Sequence, residues 1–99
     1  IKNSVFSDNT ATTYGGVLHN NNIASIENSI FADNSAENNG GAIYNAKTIS
    51  QILSSTFLGN ASSNNGGAIY NASKIWIYRC LWLYLQACII VCRPVSYKV

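Results

Sequence analysis

Asn39-Gly40-Gly41-Ala42-Ile43-Tyr44-Asn45 recurs letter for letter as Asn65-Gly66-Gly67-Ala68-Ile69-Tyr70-Asn71. A worn third copy, Gly15-Gly16-Val17-Leu18-His19-Asn20, lies upstream, so the glycine pairs fall 25 and then 26 residues apart. A second motif keeps the same step. Asn3-Ser4-Val5-Phe6-Ser7-Asp8-Asn9 is followed by Asn28-Ser29-Ile30-Phe31-Ala32-Asp33-Asn34 and by Ser54-Ser55-Thr56-Phe57-Leu58-Gly59-Asn60. Two motifs that hold one period over three copies define a structural repeat, and the period is too short for the common helical repeats, which run to roughly 33 residues or more.

Residue types within the unit point to strands. Short β-branched runs such as Ile23-Ala24-Ser25-Ile26 and Ile49-Ser50-Gln51-Ile52 are broken by Asn, Ser and Gly clusters, and no apolar run has the length of an ordinary helix. One unit has room for about three short strands with corners between them, the content of one coil of a parallel β-helix. Stacked coils stand about 4.8 Å apart. The repeated letters then acquire roles. Phe6, Phe31 and Phe57 form an aromatic column, and Leu18, Ile43 and Ile69 an aliphatic one. Asn9, Asn34 and Asn60 follow the Phe strand, where a corner is needed, and asparagine both tolerates left-handed backbone and bonds its stacked neighbours in a ladder. The pairs Gly15-Gly16, Gly40-Gly41 and Gly66-Gly67 mark a corner that needs positive φ or close approach of two backbones.

The expected fold is all-β: a right-handed parallel β-helix of about three coils over residues 1–75, with repeats at about 3–27, 28–53 and 54–75 and an apolar tail over 76–99. All seven glycines and all fourteen asparagines lie at or before Asn71, whereas the three cysteines and both tryptophans lie after Lys74. The chain opens on Ile1 and contains no methionine, and is read as a fragment whose export signal is out of view. For the tail three readings stand side by side: a short membrane span, an apolar cap in which Ile75 takes the place of Ile49, or an out-of-frame end of the gene. Cys80, Cys88 and Cys92 have no zinc-like spacing.

The joint occurrence of a Gly-Gly-Ala-Ile element (Gly40 to Ile43, Gly66 to Ile69) and a Phe-x-x-Asn element (Phe6 to Asn9, Phe31 to Asn34, Phe57 to Asn60) resembles the repeat of the chlamydial polymorphic outer membrane proteins and of other bacterial right-handed β-helix surface proteins. Gly15 to Leu18 departs from it, with Val17-Leu18 in place of Ala-Ile. The resemblance covers residues 1 to about 75. It implies an exported, autotransporter-type passenger at the cell surface or outer membrane, with an adhesive or structural role and no enzymatic activity.

Candidate chemistry is sparse. Asp8 and Asp33 occupy one repeat position, and two stacked carboxylates suggest either a glycosidase pair or a cation site. Turn-forming aspartates facing solvent account for the same letters, and the third copy carries Gly59 there. A carbohydrate-active β-helix, a polysaccharide lyase or glycoside hydrolase, is therefore the alternative to a non-enzymatic surface segment. His19 stands where the other copies have Tyr44 and Tyr70 and has no second histidine or cysteine at ligand spacing, so it reads as a plain surface residue; the alternative is that the three make a column offering aromatic faces to a sugar. Asn60-Ala61-Ser62 and Asn71-Ala72-Ser73 fit the N-glycosylation pattern, as Asn- and Ser-rich sequence does by chance.

The net charge of +2 arises in the tail. Residues 1–74 carry Lys2, Lys47 and Lys74 against Asp8, Glu27, Asp33 and Glu37, which gives no basic face for nucleic acid. No cofactor or metal is expected. The expected partners are host or cell-surface glycans or proteins, a membrane through the tail, and further copies through the open coil ends.

Overall fold

The structure, a computed structural model, describes residues 1–20 and 22–72 together with the backbone of Ile75–Tyr78, Leu81–Leu83, Ile90–Val91 and Val95–Lys98. It is an all-β parallel β-helix, with no helix among the described residues. Each coil contributes four strands rather than three. The first coil holds β1 (Val5–Ser7), β2 (Thr10–Ala11), β3 (Leu18–Asn20) and β4 (Ile23–Glu27). The second holds β5 (Ile30–Ala32), β6 (Ser35–Ala36), β7 (Ile43–Asn45) and β8 (Ile49–Leu53), and the third begins with β9 (Thr56–Leu58), β10 (Ala61–Ser62) and β11 (Ile69–Asn71). The additional strand is the two-residue one after the Asn corner, too short to show as an apolar run.

Corresponding strands stack into four parallel sheets, with β5 between β1 and β9, β6 between β2 and β10, β7 between β3 and β11, and β8 next to β4. The register follows the repeat residue by residue: Phe6 faces Phe31 and Phe31 faces Phe57, while Leu18 faces Ile43 and Ile43 faces Ile69. From Ile75 on, β12 (Ile75–Tyr78) pairs with β8, placing Ile75 beside Ile49. Next, β13 (Leu81–Leu83) pairs with β9, β14 (Ile90–Val91) with β11, and β15 (Val95–Lys98) with β12. Side chains from residue 73 onward, Cys80, Cys88 and Cys92 among them, lie outside the described residues, and so do the three readings of the tail that depend on them.

Inside the coil, alternate residues point inward as the strand period requires. The phenyl rings stack nearly parallel, Phe6 on Phe31 at 5.1 Å and Phe31 on Phe57 at 5.0 Å, and Ile26, Ile43, Ile49, Ile52, Ile69, Ala42 and Ala68 fill the remaining interior. Truncating an aromatic at such a site costs about 3–5 kcal/mol.

Three corners per coil use left-handed backbone. They lie at Asn3, Asn28 and Ser54, at Asp8, Asp33 and Gly59, and at Gly15, Gly40 and Gly66. The second set shifts the corner one residue from the sequence reading: the left-handed residue is the one before Asn9, Asn34 and Asn60, and these asparagines turn their side chains along the stack instead. The two glycines of each pair do different work. Gly40 takes φ +73°, whereas Gly41 is needed for close approach, since a Cβ there would meet the Gly67 carbonyl oxygen at 2.0 Å and that of Ala61 at 2.5 Å.

Candidate functional site

Polar side chains are stacked as regularly as the apolar ones. The backbone N–H and side-chain Nδ2 of Asn9 both donate to Asn34 Oδ1 at 3.0 Å, and those of Asn34 donate to Asn60 Oδ1 at 3.0 Å. Each of these two buried amides also donates a hydrogen bond to the coil before it, Asn34 Nδ2 to the Phe6 carbonyl at 3.0 Å and Asn60 Nδ2 to that of Phe31 at 2.8 Å. A serine ladder runs parallel to this one. Ser4 N–H donates to Ser29 Oγ and Ser29 N–H to Ser55 Oγ, at 3.3 and 3.2 Å. Asn45 Nδ2 donates to Asn71 Oδ1 in a third ladder, buried beside the aliphatic column. Among the described residues no buried side-chain nitrogen or oxygen lacks a partner.

The ladders decide several candidate sites. Asn60 and Asn71, the acceptor residues of the two glycosylation patterns, are 5% and 2% exposed, and their amides are engaged with Phe31, Asn34 and Asn45. A glycan on either is incompatible with the folded coil. Asp8 and Asp33 are exposed at left-handed corners with φ of +57° and +54°, the conformation that Gly59 adopts in the third copy at +64°. One carboxylate oxygen of Asp33 lies over the Gly59 corner, where an added Cβ would meet it at 2.4 Å. Asp, Asp and Gly share that position because all three tolerate left-handed backbone. No group of three or more His, Cys, Asp or Glu side chains suited to a metal ion occurs among the described residues. An open depression of about 360 Å³ on the outer side of β4 and β8 is lined by Asn22, Ile23, Ala24, Thr48 and Ser50, none of them a titratable group at neutral pH.

The most differentiated surface lies on the outer side of β3, β7 and β11. Strand alternation buries Ile43 and Asn45 and turns Tyr44 outward between them, and Tyr70 repeats the arrangement one coil on. The two phenol rings stack at 5.1 Å with 7° between their planes. His19 occupies the same position in the first coil but stands edge-on, at 4.9 Å and 82° to Tyr44. Tyr14 joins them from the β2–β3 turn, 4.6 Å from Tyr44 and 5.9 Å from His19. Burial, then the neighbouring Tyr70 and Tyr14 hydroxyls, push the Tyr44 phenol above the ordinary tyrosine value, so it remains a neutral hydrogen-bond donor at physiological pH.

Sequence reading takes His19 as a plain surface residue, with the His19, Tyr44 and Tyr70 column as the alternative, and includes neither Tyr14 nor the serine ladder. Ser4, Ser29 and Ser55 do carry the repeat period and could have been found from it. Tyr14 replaces the asparagine seen at Asn39 and Asn65, so no repeat signal marks it, and only stacking brings it to Tyr44.

The repeat also identifies the lineage. Neither curated proteins nor solved structures gave a match to the chain. The model of the Chlamydia polymorphic membrane protein (Chlamydia_PMP) repeat matches three times, at residues 3–21, 28–46 and 54–72, together more than half of the sequence. Each match runs from the Asn or Ser that opens the Phe motif through the Gly-Gly corner to the outward Tyr or His strand. The chain belongs to the Chlamydia polymorphic membrane protein repeat family, a family of surface, outer-membrane-associated proteins.

Proposed function

We propose that this chain is a non-enzymatic segment of an exported, autotransporter-type surface protein, giving rigid length away from the cell and an adhesive wall to one side. The observation that carries the reading is the threefold family match coinciding with a stack whose repeat period is spent on corners, columns and ladders. The repeated polar letters are engaged in holding coil to coil, which favours a scaffold over a catalyst. Against the background of Asn, Ser and Thr, the outward aromatic strip of Tyr14, His19, Tyr44 and Tyr70 is the surface suited to contact host or cell-surface glycans or proteins.

Beads coated with the folded chain are expected to adhere to cultured epithelial cells, and beads carrying the chain after thermal unfolding are expected not to. Equal adherence of the two preparations would refute the adhesive role. Hydrolysis or lyase cleavage of a polysaccharide by the folded chain, lost in Asp33→Ala, would instead restore the enzymatic alternative.

A further inference from the structure

The first coil departs from the repeat at two outward positions, and the departures meet in space. Tyr14 stands where the other coils carry Asn39 and Asn65, and His19 where they carry Tyr44 and Tyr70. Neither replacement is required for stacking, because the other coils fold with Asn and Tyr at these places. Yet Tyr14 and His19 lie 5.9 Å apart at 65° to one another, and both lean on Tyr44. Above this corner the Tyr44–Tyr70 stack spends its ring faces on itself and turns edges outward. His19, exposed and nearly perpendicular to Tyr44, is outside that stack.

Charge narrows the ligand. The segments that build the strip, residues 14–20, 39–46 and 65–72, contain no Lys, Arg, Asp or Glu. A sulfated or sialylated chain, or a charged peptide, finds no fixed counter-ion within these segments, although Glu37 and Lys47 flank the second of them in sequence. A proline-rich peptide needs slots between aromatic ridges, and rings in contact at 5.1 Å leave none. A sugar needs an aromatic face for its C–H groups and hydrogen-bonding side chains for its hydroxyls; Tyr14 and His19 supply faces, and the phenols and the imidazole supply the polar groups. Hydroxyl-bearing edges then follow up the coil axis at the 5.1 Å ring spacing, close to the length of one pyranose unit in an extended chain.

We infer that the corner formed by Tyr14, His19 and Tyr44 holds one unit of a neutral glycan, with the chain continuing along Tyr70. The inference rests on the adhesive reading above and names its ligand class. Chitohexaose and cellohexaose serve as neutral probes, and a heparin hexasaccharide as the anionic contrast, followed by saturation-transfer NMR and tyrosine fluorescence. A neutral probe is expected to bind, and Tyr14→Asn, which restores the residue of the other coils, is expected to weaken it by about tenfold or more with an unchanged melting temperature.

Absence of binding by both neutral probes, binding by heparin alone, or undiminished binding by Tyr14→Asn would each overturn the inference. Bead adhesion distinguishes the two levels. If beads adhere but neither neutral hexasaccharide competes, adhesion stands and the glycan site falls; if a neutral probe binds while the beads do not adhere, the reverse holds.

Discussion

Replacing Asn34 by alanine tests the ladder where it is most heavily loaded. Asn34 is 1% exposed, and its side chain makes four hydrogen bonds: Oδ1 accepts from the Asn9 N–H and Asn9 Nδ2, and Nδ2 donates to Asn60 Oδ1 and to the Phe6 carbonyl. Each such bond contributes about 1 kcal/mol net, and a buried partner left unsatisfied costs about 1–3 kcal/mol. The expected loss is therefore about 4 kcal/mol, a large part of the 5–15 kcal/mol that holds a typical domain together. For a chain of this size it corresponds to a fall in melting temperature of roughly 15–30 °C. Asn9→Ala removes the same letter of the repeat at an exposed position, where the side chain makes one of these bonds, so about 1 kcal/mol is expected. Asn64→Ala, which loses one exposed 3.3 Å bond to Asn38, serves as the baseline. Thermal melts followed by circular dichroism, with urea titrations for the free energies, measure all three. If Asn34→Ala melts within a few degrees of Asn64→Ala, the ladder contributes little and the stack rests on its apolar columns alone.

Other expectations follow from the same geometry. Gly41→Val places a branched side chain where a Cβ already meets two backbone oxygens, and is expected to abolish the cooperative melt. Asp33→Gly takes the residue that the third coil uses at this corner and is expected to change stability by less than about 1 kcal/mol; a loss of several times that would assign Asp33 a further role. Calcium titrated into the chain is expected to give neither heat nor a shift in melting temperature, and either response would revive a cation site at Asp8 and Asp33. Tyr44 loses its proton less readily in the folded chain than in the unfolded one, so its contribution is complete below about pH 10 and is lost as pH rises through the raised native value. Melts above pH 10 are expected to fall less steeply for Tyr44→Phe than for the parent, with ultraviolet titration of the phenolates as the direct check.

What could be read from sequence was whatever the repeat wrote three times in large letters. Phe6, Phe31 and Phe57 carry both period and bulk, so a column follows from spacing alone. The strands β2, β6 and β10 escaped because two residues make no pattern; their pairing depends on coils already stacked. The corner beside Asn34 was displaced by one residue because Asp and Asn tolerate left-handed backbone about equally, and Gly59 was the letter that marked the true position. The aromatic site was half legible. Tyr44 and Tyr70 repeat, whereas Tyr14 differs from its counterparts and meets them only through the third dimension.

The backbone N–H rungs of the asparagine and serine ladders share one direction. In each rung the N–H of an earlier coil is received by a side-chain oxygen of the coil that follows, Asn9 by Asn34, Asn34 by Asn60, Ser4 by Ser29 and Ser29 by Ser55. A turn without its successor thus keeps these N–H donors open, together with the Phe6- or Phe31-type carbonyl that the next asparagine amide would meet. Each added turn therefore both closes these donors of the one before it and exposes its own, so a stack of any length keeps one such open rung at its last coil.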